Sequence, residues 1–215
     1  MNGTLLNAKI QRGYAIAAGK IGVSHAQYRP TDPLTPFATS IGNLPAAFNV
    51  AGSFAKQTQA DQIFWQAIVD GSKLELGDYL LGLHTWCIVG LEPLMPVIAM
   101  RCTDTVSISR STEVFSATDG LTQTLTQIAS GIPCYIQLKK NKGYSAPVAF
   151  PAPTNTSAPM PEWIVYIGLG GITPDGFIQE GDLIQDENGN HWKVDAASNS
   201  TLTWQLAVTP LKPKS

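Results

Sequence analysis

The sequence predicts a mainly β protein built from two small antiparallel β-barrel or sandwich units, with an N-terminal α-helix and extended Pro-rich arms. Three observations predict it. An internal echo comes first: Asp70-Gly71-Ser72-Lys73-Leu74-Glu75-Leu76-Gly77-Asp78-Tyr79-Leu80 returns as Asp175-Gly176-Phe177-Ile178-Gln179-Glu180-Gly181-Asp182-Leu183-Ile184. Each copy leads to a tryptophan and β-branched residues, Trp86-Cys87-Ile88-Val89 and Trp192-Lys193-Val194. Asp-Gly opens each copy ahead of a short strand and Gly-Asp makes a second tight turn, which is how antiparallel strands are punctuated. The second observation is a series of short, β-branched runs bounded by Gly, Pro or Asp. The third is a helical period confined to the first residues of the chain.

In that first segment Leu6, Ile10, Tyr14, Ala17 and Ile21 recur at three- and four-residue steps, the spacing of one helix face. Thr4 is a fair N-cap and Gly22 a fair stop. Gly13 and Gly19 each cost about 1 kcal/mol relative to Ala, so packing must hold the helix in place. Residues 29–60 carry Pro30, Pro33, Pro36 and Pro45 without a sustained period. They read as an extended arm, since long connectors are usually functional or ordered by partners.

Ile63 to Val69 is apolar, and its pattern leaves strand and helical turn both open. Tyr79–Leu81, Thr85–Val89, Val97–Cys102 and Thr105–Arg110 read as strands; in the last, Val106 and Ile108 alternate with polar neighbours, as in a half-buried antiparallel strand. Gly120 to Ser130 reads as a loop or weak helix, before strand character resumes at Cys134 to Leu138. Residues 146–161 are too proline-rich to continue a ladder and form a linker or second arm. Trp163 opens a second β unit that passes through an Asn188-Gly189 hairpin turn, reaches Leu202 to Val208 and closes in a basic Pro-rich tail from Pro210. The expected organisation is therefore 1–60 helix and arm, 61–145 first β domain, 146–161 linker or arm, and 162–215 second β domain with its tail.

Composition narrows the function classes. Charged residues are 14% of the chain against roughly a quarter in ordinary soluble domains, while 44% are hydrophobic. Weak electrostatic repulsion between such surfaces favours association. A net charge of −2 argues against a nucleic-acid binder, which carries a basic patch or stripe. The one basic cluster, Lys139-Lys140-Asn141-Lys142, reads as a solvated hairpin tip. No stretch approaches the ~20 apolar residues of a membrane span, and the start Met-Asn-Gly-Thr lacks the pattern of an export signal. Three irregularly spaced cysteines point to a reducing compartment rather than a disulfide framework, so synthesis in a cytosol is expected.

Chemistry-bearing patterns are weak. His84-x-x-Cys87, with Cys102 and Cys134, is the nearest approach to a metal set, but it lacks a second doublet and strand geometry puts residues three apart on opposite faces. The histidines His25, His84 and His191 accompany no nucleophile elbow. Glu75, Asp78, Glu180 and Asp182 could supply a carboxylate pair, yet an Asp after Gly is better explained as capping its own turn. Gly168-Leu169-Gly170-Gly171 precedes no phosphate-binding helix. Trp65, Trp86, Trp163, Trp192 and Trp204 could stack on sugars, but their places in or beside strands favour core packing. No catalytic, cofactor-binding or metal-binding residue is assigned.

Several short motifs occur in one order: Ala17-Ala18-Gly19-Lys20-Ile21-Gly22, Tyr28-Arg29-Pro30, Asp70-Gly71-Ser72, Gly77-Asp78-Tyr79-Leu80, Leu91-Glu92-Pro93-Leu94 and Arg101-Cys102-Thr103-Asp104-Thr105-Val106-Ser107-Ile108-Ser109-Arg110. Ile132-Pro133-Cys134-Tyr135, Gly181-Asp182-Leu183-Ile184 and Trp204-Gln205-Leu206 follow. With these the chain resembles, over nearly its full length, a family of tailed-bacteriophage virion proteins encoded among head and tail genes. The resemblance implies a non-enzymatic neck component, as adaptor, stopper, collar or tail terminator. It would form part of a ring that joins capsid portal to tail and passes double-stranded DNA without binding it specifically. The partners implied are further copies in a cyclic homo-oligomer and the neighbouring portal, adaptor or tail proteins, with no membrane and no cofactor. The competing expectations are a carbohydrate- or receptor-binding β module and, behind it, a hydrolase.

Overall fold

The computed structural model describes residues 3–50, 63–116, 120–138, 163–168, 173–200 and 203–211. A helix, α1 (Gly3–Ile21), is followed by twelve strands: β1 (Val23–Tyr28), β2 (Ser40–Val50), β3 (Phe64–Val69), β4 (Tyr79–Leu81), β5 (Thr85–Gly90), β6 (Val97–Cys102), β7 (Asp104–Ser116), β8 (Gly120–Leu138), β9 (Trp163–Ile167), β10 (Leu183–Asp186), β11 (His191–Asn199) and β12 (Trp204–Pro210). Every pairing is antiparallel. The first six strands close a barrel in the order β1-β2-β3-β6-β5-β4, and the last six close another in the order β7-β8-β9-β12-β11-β10. Adding six to every strand number in the first barrel gives the second. The expected mainly β fold of two small barrels and one helix is thus present, and the duplication covers a whole barrel rather than the short echoed segment.

The domain boundaries fall elsewhere than the sequence suggested. β1 and β2 are barrel staves, not part of an arm, and β7 and β8 belong to the second barrel, so the division lies at Thr103 between β6 and β7. The proline pattern of residues 29–60 misled for a physical reason. Pro45 sits in β2 opposite Ser24, and Pro30 and Pro36 are buried. Phe37 packs edge-on to Tyr28, and the Pro33 carbonyl accepts from Ser130 N at 3.0 Å. Residues 29–39 therefore fold back on their own body. Residues 51–60, the segment 146–161 and the basic cluster 139–142 lie outside the described residues.

Each barrel interior follows the two-residue period of a strand. Leu44, Ala46, Ala67, Val69, Leu80, Trp86, Ile88, Val97 and Ala99 fill the first, with Leu74 as a plug. Val106, Ile108, Ile132, Cys134, Val165, Ile167, Ile184, Trp192, Val194, Trp204, Leu206 and Val208 fill the second, with Ile178 in the matching place. The alternate residues of β4–β6 are also apolar. Tyr79, Cys87, Val89, Met100 and Cys102 meet Tyr135, Ile164 and Tyr166 of β8 and β9 in a third cluster that joins the barrels. Burial on both faces explains why β5 reads as a continuous apolar run.

The helix forms over almost the span its period predicts and lies on β2, β3 and the 3-10 turn Gly71–Lys73. Gln11 Oε1 accepts from Gly71 N at 3.1 Å and Asn7 Oδ1 from Leu94 N at 3.2 Å. Gly22 comes close to the backbone of Ala46, where a Cβ would stand 2.9 Å away. The expected apolar face is only partly used. Ala18 is buried and Ile10, Tyr14 and Ala17 are half-buried, while Leu6 and Ile21 remain exposed.

Candidate assembly surfaces

The echoed segments build the same structure twice. Glu75–Asp78 is a turn closed by Asp78 N donating to Glu75 O, with Gly77 at φ +88°; Gln179–Asp182 is closed likewise, with Gly181 at φ +91°. A type II turn requires a positive φ at its third position, hence the glycine. The next residue, the aspartate, returns a carboxylate oxygen to the turn's first amide, at 2.9 Å in Glu75 and 2.8 Å in Gln179. Each turn is then stitched to its barrel, since Gly77 N donates to Ile88 O and Ile88 N to Asp78 O, as Gly181 N does to Val194 O and Val194 N to Asp182 O.

Both aspartates are buried, and each is met by an arginine from the first strand of its barrel or the residue just after it. Arg29 donates through Nε and Nη2 to Asp78 at 2.8 and 2.9 Å, and Arg110 through the same two atoms to Asp182 at 2.8 Å each. Gln27 Nε2 adds a third side-chain donor to Asp78 at 2.8 Å. Their carboxylates raise the affinity of both guanidinium groups for the proton, mainly through these hydrogen bonds. The sequence showed the turns and the capping. It did not show the arginines, although Tyr28-Arg29 and Ser109-Arg110 end the equivalent stretches of β1 and β7. No strand follows Asp-Gly: Asp70 caps the 3-10 turn through Ser72 N at 3.2 Å, and Asp175-Gly176 forms a turn closed by Phe177 N on Pro174 O.

Most of the remaining candidate residues are buried or packed against a barrel core, while His84, Glu180 and His191 are exposed. Cys87 and Cys102 face the joint between the barrels while Cys134 lies inside the second, and burial pushes all three thiols well up from their ordinary range. They are poor nucleophiles in that state. His84 points away from them, edge-on to Trp86 and 3.5 Å from Arg101 Nη2. His25 is buried against Phe48 with Nδ1 2.7 Å from Val23 O, whereas His191 is exposed at the start of β11. The five tryptophans belong to the barrel cores or pack against them. Gly168 approaches Cys87 because it has no side chain; a Cβ would stand 2.0 Å from the sulfur. Leu169, Gly170 and Gly171 lie outside the described residues.

Among the described residues, a groove and a ribbon stand out on the surface. The groove, of about 970 Å³, lies between α1 and the first barrel, bordered by Asn7, Gln11, Arg12, Asp70, Glu75 and Met95. Beside it, Pro93-Leu94 turns with Leu94 at φ +66°, a backbone region that favours glycine or asparagine. The ribbon is formed by β7 and β8. β7 pairs with β10 only as far as Ser109, yet β7 and β8 continue together from Arg110↔Thr126 to Ser116↔Gly120. These seven pairs extend about 24 Å beyond the barrel at ~3.4 Å per residue. Register shifts between Val106 and Ser109, with Gly131 at φ +61°, mark where the ribbon leaves the wall, and such bulges bend a strand. The expected loop or weak helix at Gly120–Ser130 is thus a strand. Thr122, Thr124 and Thr126 suited it to β structure, but Ser, Thr and Gln dominate the stretch before Ile128 and Ala129 reach the second barrel core, so the apolar alternation that announces a strand is missing.

Among the described residues no helix is long and apolar enough to cross a membrane, and no group of His, Cys, Asp or Glu is arranged to hold a metal ion. No protein-family model matches the chain, and no curated protein or solved structure matches it.

Proposed function

We propose that this chain is a structural virion protein of a tailed bacteriophage, a non-enzymatic subunit of the ring-shaped neck that joins capsid portal to tail. It would be made in the host cytoplasm, assemble with further copies and with portal, adaptor or tail proteins, and let double-stranded DNA pass through the lumen. The motifs that carry the resemblance support this reading by what they do in the fold. Arg29, Gly77-Asp78 and Arg110 with Gly181-Asp182 brace two barrel ends, and Tyr79, Cys102 and Tyr135 join the barrels. The observation that carries the reading is a division of labour: a rigid double barrel whose buried polar groups serve the scaffold, and a ribbon standing out from it. A ring subunit needs a stiff body and a projecting part that reaches its neighbour, and a heterologous contact that closes gives a ring.

Electron microscopy and native mass measurement of the recombinant protein and of purified particles test the reading. Cyclic oligomers, or copies located at the head–tail junction, are the expected result. A monomer at every concentration that is also missing from virions rejects it.

A further inference from the structure

The ribbon's edges suggest how one copy holds the next. On one side, residues 110–116 of β7 extend past the last partner in β10; on the other, residues 120–129 of β8 lie before the contact of Ser130 N with Pro33 O and before the pairing with β9 that starts at Cys134. Among the described residues, neither stretch has a strand partner on its outer side. A two-stranded hairpin alone is marginally stable in water, and Thr112, Glu113, Thr124, Leu125, Thr126 and Gln127 are exposed, Leu125 at 60%. Natural open edges are blunted by lysine, proline or inward charge. Between Ser111 and Ala129 there is no lysine, arginine or proline, and the acids are Glu113 and Asp119.

We propose that this ribbon is a strand-addition clasp whose occupant is the ribbon of a second copy of this chain. The inference rests on the ring reading above. The sense of the strands supports it. When ribbons of neighbouring copies point the same way, β7 of one runs opposite to β8 of the next, so every new contact is antiparallel, like the pair inside each ribbon. The two edges differ, so the contact is head-to-tail and can close around an axis. Main-chain bonds would supply the adhesion. Nearly neutral Ser, Thr and Gln side chains would avoid the repulsion that two charged edges produce, and with the guanidinium of Arg110 engaged by Asp182 at the ribbon's base the ribbon is not suited to hold a phosphate backbone.

The experiment uses the full chain. Thr112→Lys with Thr124→Lys places a cation on each edge, at exposed positions that face each other within the ribbon. Association measured by native mass spectrometry and sedimentation should weaken at least ~10-fold, with near-ultraviolet circular dichroism of the barrels unchanged; Thr112→Lys with Thr124→Glu should restore it, since opposite charges across strands attract. In a second measurement, Thr112→Cys protein is mixed with Thr124→Cys protein and oxidised. The native thiols are buried, so mixed disulfide dimers exceeding either homodimer are the expected product, and this readout decides the matter should the charge variant misfold. Undiminished oligomers of the Lys/Lys protein without mixed disulfides overturn the clasp and leave the ring reading to another interface. A wild-type monomer at all concentrations without mixed disulfides overturns the clasp, and its absence from virions then overturns the ring reading as well.

Discussion

Replacing Arg110 with methionine removes both donors that hold Asp182 against β7 and leaves the carboxylate, which is 2% exposed, with the Gln179 amide as its remaining partner among those described. Breaking a buried ion pair by deleting one member costs about 3–5 kcal/mol. The Arg110 side chain is 32% exposed, so water can reach part of the site, and a loss of about 2–3 kcal/mol is the appropriate expectation. For a chain of this size that lowers the melting temperature by about 5–10 °C. Asp182→Asn alone should lose about 2 kcal/mol, because it turns an amide toward the guanidinium while preserving an acceptor for Gln179. The double variant carries no uncompensated charge and should be at least ~1 kcal/mol more stable than the sum of the single losses predicts. Urea unfolding followed by tryptophan fluorescence, to which Trp192 and Trp204 of the second core contribute, measures all four proteins. A loss below ~0.5 kcal/mol for Arg110→Met, or strict additivity in the cycle, would refute the claim that this pair braces the second barrel.

Two further outcomes follow from the joint between the barrels. Gly168→Ala should cost more than ~2 kcal/mol, since its Cβ would stand 2.0 Å from Cys87 Sγ and overpacking of a filled core is destabilising; adding Cys87→Ala should return part of that loss, and chemical denaturation of the single and double variants checks it. High pH should destabilise the fold. The three thiols and the Tyr79 hydroxyl have raised proton affinity in the folded state because of burial, so below the unfolded-state value, about 8.5 for cysteine, both states are protonated and nothing is lost. Above it the unfolded chain releases protons that the folded chain retains, and stability falls by up to about 1.4 kcal/mol per pH unit for each group. Denaturation midpoints between about pH 7 and 10 should therefore drop more steeply in the wild type than in a Cys87→Ala, Cys102→Ala protein; equal slopes would contradict the burial of those thiols.

The sequence alone determined the helix, the β class, the Gly-Asp turns and the Asn188-Gly189 hairpin, because each depends on neighbours in the chain: a 3.6-residue period, a positive φ that glycine supplies, or a side chain capping its own turn. The capping role of the turn aspartates was legible too, and in the fold Asp78 and Asp182 each accept from the first amide of their own turn. Tertiary structure decided the rest. Arg29 and Arg110 find their aspartates only when β1 meets β4 and β7 meets β10. The boundary at Thr103 was hidden because the outward residues of β4–β6 are as apolar as the inward ones, so nothing local marks where one core stops. The ribbon was hidden for the opposite reason: rich in Ser, Thr and Gln, β7 and β8 lack a sustained apolar alternation there, and only their pairing with each other shows that they are strands.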